Sequence, residues 1–354
     1  MKSEPTLDVT LFQGGGTSNP DAISLWNLPR NHLYTKKIAY AFSKKSKLSD
    51  PYFVEQVTFC LSLLPYIIQK KPDVIYFSDF NLGTMLWHLR RIMNLSYKLL
   101  FSNGAPNGPP FTRMDHVQHL TPLHYQIAID AGESKYRHSL VPYGINLQHE
   151  YHQLSQSERD SLLAKLNLPV DRPIILSVAA INKTHKRMDY VIQEVSQLPE
   201  PRPFLILLGQ MDHESAEVIQ LADRLLGKLN FLVKTVTYDE LCNYYNIADL
   251  FVLASLREGL PRVLLEAMGH GLPCLVHDYE VTRFVLGDEG NFSDFNKPGN
   301  LTALMQKVLS QHNNFNRLQL HNIAFKRFSW ECLRKGYISL IKETVETCDS
   351  KLEL

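Results

Sequence analysis

The chain is poor in cysteine: five in 354 residues, at positions 60, 242, 274, 332 and 348, odd in number and widely scattered. None forms a CxxC pair or a Cys/His ligand spacing, which excludes a disulfide framework and a structural zinc site. Excess charge is also missing. Lys and Arg number 37 against 36 Asp and Glu, and a net +1 excludes a polyanion-binding chain, whose footprint is strongly basic. The opening MKSEPTLDVT has no signal-peptide apolar core, and no run of 18 apolar residues is expected to span a bilayer. No internal repeat or low-complexity segment is visible. What is present, 44% hydrophobic residues with only 21% charged, excludes global disorder. At roughly 150 residues per domain the length gives about two domains, and the reading is a soluble, cytoplasmic protein.

Short apolar runs alternate with longer helical patterns. LDVTLFQ (7–13), KKIAYAF (36–42), DVIYFSD (73–79) and KLLFSN (98–103) read as strands, followed by a second set at 173–179, 203–209, 229–236, 248–255 and 273–279. Helical stretches at 54–70, 188–198, 215–229 and 238–248 lie between them. Continuous apolar strands separated by helices indicate parallel sheets covered on both faces. The sequence therefore predicts two α/β, doubly wound domains, 1–150 and 151–330. Ligands in such domains bind outside the carboxyl ends of the strands, so a cleft between the domains is the expected active site. The near-zero net charge hides an asymmetry, +4 over residues 1–150 and −3 over the rest. Lys36, Lys37, Lys44, Lys45, Lys47, Lys70 and Lys71 supply much of the basic excess, either as solvated faces or as a surface that approaches anionic lipid or an anionic acceptor.

The most informative stretch is ADLFVLASLREGLPRVLLEAMGHGLPCLVHDY, 248–279. A strand runs into a loop holding Glu258 and Gly259, and Pro261 opens a helix that Gly269 or Gly271 ends. Amides near Gly259, Leu260, Val263 and Leu264 form an anion site, reinforced by the helix dipole. Glu266 lies about 7–8 Å further along the axis, where a carboxylate can accept hydrogen bonds from the two hydroxyls of a ribose. Glu258, on the loop before the helix, is placed to hold hydroxyls of a transferred sugar. Two carboxylates flanking an anion site suit a nucleotide-sugar donor.

This segment, Glu258-Gly259-Leu260-Pro261 … Leu265-Glu266-Ala267-Met268 … Gly271-Leu272-Pro273, resembles the E-x7-E signature of glycosyltransferase family four. The resemblance implies retaining, nucleotide-sugar-dependent enzymes of the GT-B fold, with two facing Rossmann-like domains and a cleft between them. Weaker likenesses cover most of the chain, and the closing FSWECLRKGYISLIKETVE resembles the terminal helix, about 331–350, that returns to the N-terminal domain. The family's glycine-rich donor loop corresponds to Gly14, Gly15 and Gly16. Its phosphate-binding lysine corresponds to Lys186, which the resemblance makes catalytic together with Glu258.

Two departures stand out. The family's Gly-Arg is Ala179-Ala180 here, so Lys183 or Arg187 must supply a second positive charge for the diphosphate. Where family members carry a histidine beside the sugar, this chain has Asn103, which can hydrogen-bond a hydroxyl but cannot act as an acid or base, while His116 and His119 lie downstream. GGGTSNPDA fits a nicotinamide fingerprint poorly, and Asp212-His213-Glu214 is not a DxD metal motif. The expectation is thus a transferase with neither a metal nor a cofactor, its partners a nucleotide-sugar donor and a glycan, lipid-linked or small-molecule acceptor, with no nucleic acid. Peripheral contact with the inner membrane face through the basic N-terminal domain is expected too. A nucleotide-sugar epimerase or hydrolase of the same fold, and a catalytically silent sugar- or partner-binding relative, are the alternatives.

Overall fold

The computed structural model describes residues 4–15, 19–42, 46–311 and 316–346. The chain divides into two compact units, Met1–Val141 with Arg334–Leu354, and Pro142–Leu333. The division falls ahead of the 150/151 boundary expected from the sequence. Residues 142–150 go with the second unit because the Ile145 N–H donates to the Phe328 carbonyl and the Trp330 N–H to that of Ile145.

In the first unit β1 (Phe12–Gly14) and β2 (Ile23–Leu25) pair in parallel. A separate four-stranded parallel sheet has the order β3 (Val74–Phe77), β4 (Lys98–Asn103), β5 (His116–His119) and β6 (His138–Leu140). Its core gathers Leu86, Leu99, Phe101, Phe111, Val117 and Ala128, with Cys60, Leu63 and Ile67 from the helix Pro51–Lys70. Asp50 caps that helix by accepting from the Tyr52 N–H at 2.9 Å, Pro51 occupies its first turn, and Lys71 closes it in the left-handed region. Among the described residues this helix is the one long and apolar enough, by length and composition, to cross a membrane, with a mean hydropathy of 1.3. Its buried residues, Val54, Cys60, Leu63 and Ile67 among them, nevertheless make it a core helix of this unit.

A second correction concerns residues 36–42. The expected strand is a helix, Leu33–Ala41, whose buried residues Thr35 and Ala39 are one helical turn apart. The last helix, Trp330–Glu346, gives most of its length to the first unit, where the Tyr337 hydroxyl accepts from Gln118 Nε2 and Arg334 pairs with Glu4 at 3.1 Å.

The second unit has six parallel strands: β7 (Ile174–Val178), β8 (Phe204–Leu208), β9 (Phe231–Lys234), β10 (Leu250–Leu253), β11 (Cys274–His277) and β12 (Asn291–Ser293). Their spatial order is β12-β11-β10-β7-β8-β9, the doubly wound arrangement in which strand order reverses between β7 and β10. Every residue of β7, β8 and β10 is buried, as strands covered by helices on both faces require. Met188–Ser196 and Ser215–Leu226 are among those covering helices, and their apolar stripes join the strand side chains in one core.

Candidate functional site

In this topology ligands bind outside the carboxyl ends of the strands where the order reverses, here β7 and β10, and the two loops that leave those ends carry the candidate residues. The loop after β7 bears Lys186 and the loop after β10 bears Glu258. Lys186 Nζ donates to Glu258 Oε1 at 2.6 Å, with both side chains half-buried. The fold thus brings together two residues 72 positions apart that the sequence singled out separately.

The loop after β7 is not held by its own sequence alone. Lys186 offers its backbone N–H to Asn182 Oδ1 at 2.8 Å. The Glu214 carboxylate accepts from the Lys183 and Thr184 N–H groups at 2.8 and 3.0 Å and from the Thr184 hydroxyl at 3.0 Å, tying this loop to the one after β8. These bonds favour the ionised form and hold the Glu214 carboxyl below its usual range, the Thr184 N–H contributing most. Close approach of the two loops also needs Gly209, where a Cβ would lie 1.7 Å from the Ala179 carbonyl oxygen. Asn182, Glu214 and Gly209 were not singled out in the sequence. Glu214 and Gly209 act across a contact between two loops that no local pattern records, as does the Asn182 amide, whose Nδ2 donates to Asp212 Oδ2 at 3.0 Å.

The helix Arg262–Gly269 follows Glu258, with Pro261 as its N-cap rather than its first helical residue. Leu264 donates its N–H to the Pro261 carbonyl at 3.0 Å, and Leu260 and Leu264 are buried in side chain. The first-turn amides without an intrahelical acceptor are therefore those of Arg262 and Val263. Arg262 adds a charged, exposed side chain at the same end. Gly271, at φ +70°, supplies the left-handed residue that stops the helix, as the Gly-x-Pro pattern implied.

Glu266 lies inside this helix and is 7% exposed, deep for a carboxylate. The Tyr245 hydroxyl donates to its Oε2 at 3.1 Å, and the Tyr245 ring stacks on His270 at 4.9 Å. Burial pushes the Glu266 carboxyl above its usual range, opposed by the Tyr245 hydrogen bond and the charge of Arg262. Tyr245 went unnoticed in the sequence because it sits in an unremarkable helix, Tyr238–Ile247.

The remaining candidates are placed differently. Arg187 turns its guanidinium to the Phe295 carbonyl at 3.0 Å and lies over the Tyr190 ring at 4.3 Å. Lys183 pairs with Glu217 at the surface. Neither stands free beside Lys186. In the first unit, Gly15 donates its N–H to Asn27 Oδ1 at 2.8 Å, and a Cβ on Gly14 would meet Asn27 Nδ2 at 3.0 Å. Gly16 lies outside the described residues. Asn103 spends both ends of its amide on the 103–107 loop, donating to the Asn107 carbonyl at 3.0 Å and accepting from the Asn107 N–H at 2.7 Å. His116 and His119 are buried strand residues, bonded to Ser139 Oγ and His138 Nδ1 at 2.8 Å each. Among the described residues no group of three or more His, Cys, Asp or Glu could hold a metal ion.

Comparison with known proteins bears on the fold and on the second unit's sequence. Residues 158–324 match the family model described as glycosyl transferases group 1. A stretch of 198 residues, 53% of the chain, is 29% identical to the serotype-specific mannosyltransferase WbdA of Escherichia coli. That alignment covers 24% of the relative, so the chain matches about a quarter of that longer protein. Among solved structures, sucrose-phosphate synthase of Thermosynechococcus elongatus superposes with a TM-score of 0.74 at 19% identity, covering 94% of this chain and 86% of the other. HepE of Anabaena, solved in complex with UDP and glucose, gives a TM-score of 0.70 at 15% identity, covering 91% and 86%. The fold is that of the GT-B glycosyltransferases, and residues 158–324, within the second unit, resemble the group 1 glycosyl transferase model.

Proposed function

We propose that the protein is a retaining hexosyltransferase of the family-four type, moving a sugar from a nucleoside-diphosphate sugar to an acceptor hydroxyl without a metal ion or cofactor. The observation that carries this reading is the Lys186–Glu258 pair at the strand-order reversal, next to a helix N-terminus. In the resting protein the two side chains neutralise each other. An arriving diphosphate competes for Lys186, and the released Glu258 carboxylate then accepts hydroxyls of the donor sugar. Glu266 holds the ribose, its carboxylate aimed by Tyr245. Arg262 takes the place of the second phosphate cation, since Arg187 and Lys183 are engaged elsewhere.

In the transfer step the bond between the sugar C1 and the β-phosphate oxygen breaks, and its electron pair leaves with the nucleoside diphosphate. The acceptor oxygen bonds to C1 on the same face, and its proton passes to the departing phosphate. Negative charge builds on the diphosphate as the bond lengthens, so Lys186 and the amides of Arg262 and Val263 stabilise the transition state more than the ground state. No carboxylate nucleophile is needed. The protein would act in the cytoplasm, with the basic first unit on the acceptor side.

The test is incubation of the purified chain, after chelator treatment, with UDP-, GDP- and ADP-sugars and a panel of hydroxyl acceptors. Release of nucleoside diphosphate that depends on acceptor, with a product of unchanged anomeric configuration by NMR, is the expected result. Donor consumption without acceptor identifies an epimerase or hydrolase instead, and donor binding without any turnover identifies a silent relative.

A further inference from the structure

The helix Leu33–Ala41 buries one ridge, Thr35 and Ala39, and at 3.6 residues per turn the opposite ridge is Leu33, Lys37 and Tyr40. An ordinary surface helix turns polar residues outward. Here Tyr40 is 92% exposed, Leu33 and Tyr34 are each 62% exposed, and Phe42 just beyond the helix is exposed as well. Lys36 and Lys37 stand among them, both exposed. The outward face is therefore apolar and aromatic, studded with lysine.

Charge around this face is one-sided. Between Asp21 and Asp50 the chain has six Lys and Arg and no acidic residue. Helix Pro51–Lys70 and the turn Lys47–Ser49 pack beside it. They bring Lys47, Glu55 and, at the helix cap, Asp50. Glu55 is taken by Arg30 at 2.7 Å, and Asp50 accepts from the Tyr52 N–H. Lys36, Lys37 and Lys47 thus remain as a cationic group without a compensating carboxylate among the ion pairs of the described residues.

Tyrosine and lysine on one helix face suit the boundary between lipid headgroup and acyl chain, where a ring is half wet and an ammonium meets phosphate. We propose that this face of the Leu33–Ala41 helix seats the protein on an anionic phospholipid bilayer, with Leu33, Tyr34, Tyr40 and Phe42 entering the interface and Lys36 and Lys37 pairing with headgroups. A bilayer is preferred to a protein partner because the lysines are scattered through the apolar face instead of forming a rim around it. The proposal gives the membrane contact expected from the basic N-terminal charge a definite surface. It does not rest on the transferase reading, since it is tested without donor.

The experiment is co-sedimentation of the full chain with vesicles of phosphatidylcholine alone and of phosphatidylcholine mixed with phosphatidylglycerol. The wild type should bind the mixed vesicles and release at high salt, with little binding to phosphatidylcholine. Each lysine near an anionic surface is worth about fivefold in partitioning, so the double variant Lys36→Glu, Lys37→Glu should lose roughly 25-fold or more. Leu33→Ser combined with Tyr40→Ser should also weaken binding while leaving the melting temperature unchanged, because both residues are exposed. Equal binding of wild type and variants, binding indifferent to phosphatidylglycerol, or no binding at all overturns the proposal. So does a wild-type dimer in sedimentation velocity that these substitutions dissociate, which would make the face a subunit interface.

Discussion

The two units put their apolar residues in different places. In the second, β7, β8 and β10 are buried along their whole length, and the chemistry-bearing side chains sit on loops at one end of that rigid sheet. In the first, β1 has no fully buried residue, β3 has one, and an entire helix turns leucine and tyrosine to solvent. On the proposed function the difference separates two tasks. A diphosphate demands a fixed constellation, and a fixed constellation demands a rigid scaffold. A surface that meets variable acceptors or a membrane needs chemical character more than fixed atomic positions.

The largest expected effects fall on the second unit. Phe251→Ala, in the middle of the fully buried β10, should cost about 3–5 kcal/mol in a denaturant titration. Lys186→Ala or Glu258→Ala should lower kcat about 10²- to 10³-fold, the range for removing one stabiliser of developing charge. Because the two residues touch, their losses should be strongly non-additive in the double variant, and simple additivity would argue that they do not act together. Glu214→Gln should reduce kcat/KM by less than either, and should weaken nucleoside-diphosphate binding in the wild-type background but not in Lys186→Ala, because it acts through the Lys186 loop. Equal loss in both backgrounds would mean that Glu214 does no more than hold the unit folded.

Acid should discriminate between the units. Burial pushes His119 down to about 3 and His116 to about 4, and lowers His138 too, so all three are neutral when folded. An unfolded histidine takes a proton near pH 6.5, so stability from these residues is complete above that pH. It is lost progressively as pH falls from about 6.5 toward the folded values. Hydrogen exchange between pH 7 and 5 should therefore show protection falling first in peptides covering β5 and β6. Uniform loss across both units would contradict this. The smallest effect is Tyr40→Ser, which should change stability by no more than about 0.5 kcal/mol, as for any exposed side chain without structural partners.

The same contrast decided what was legible in the sequence. PIILSVA, PFLILLG and ADLFVLAS announce buried strands because burial on both faces forbids polar residues there. KKIAYAF misled for the opposite reason. Its continuous apolar run, residues 38–42, imitates a buried strand, whereas the structure buries only Ala39 of them and exposes Tyr40. β5, with the sequence HVQH, was passed over because three of its four residues are polar, yet all four are buried and its polar side chains have partners on β6 or beyond. In the candidate site, Glu258 and Glu266 stand out by their spacing about a helix start, and Lys186 only by its likeness to the family's lysine. Glu214, Asn182 and Tyr245 do not, because each acts across a tertiary contact. Asn103 was read as free to meet a sugar, and the structure instead uses it to close its own loop.

The central claim is that the site at the carboxyl ends of β7 and β10 binds a nucleoside diphosphate through Lys186. Calorimetric titration of UDP, GDP, ADP and CMP into the wild type and the Lys186→Ala variant tests it most directly. At least one nucleoside diphosphate should bind the wild type, and Lys186→Ala should weaken that binding about tenfold or more, the scale of one lost charge-assisted contact. Failure of every nucleotide to bind, or equal affinity in the two proteins, would contradict the account.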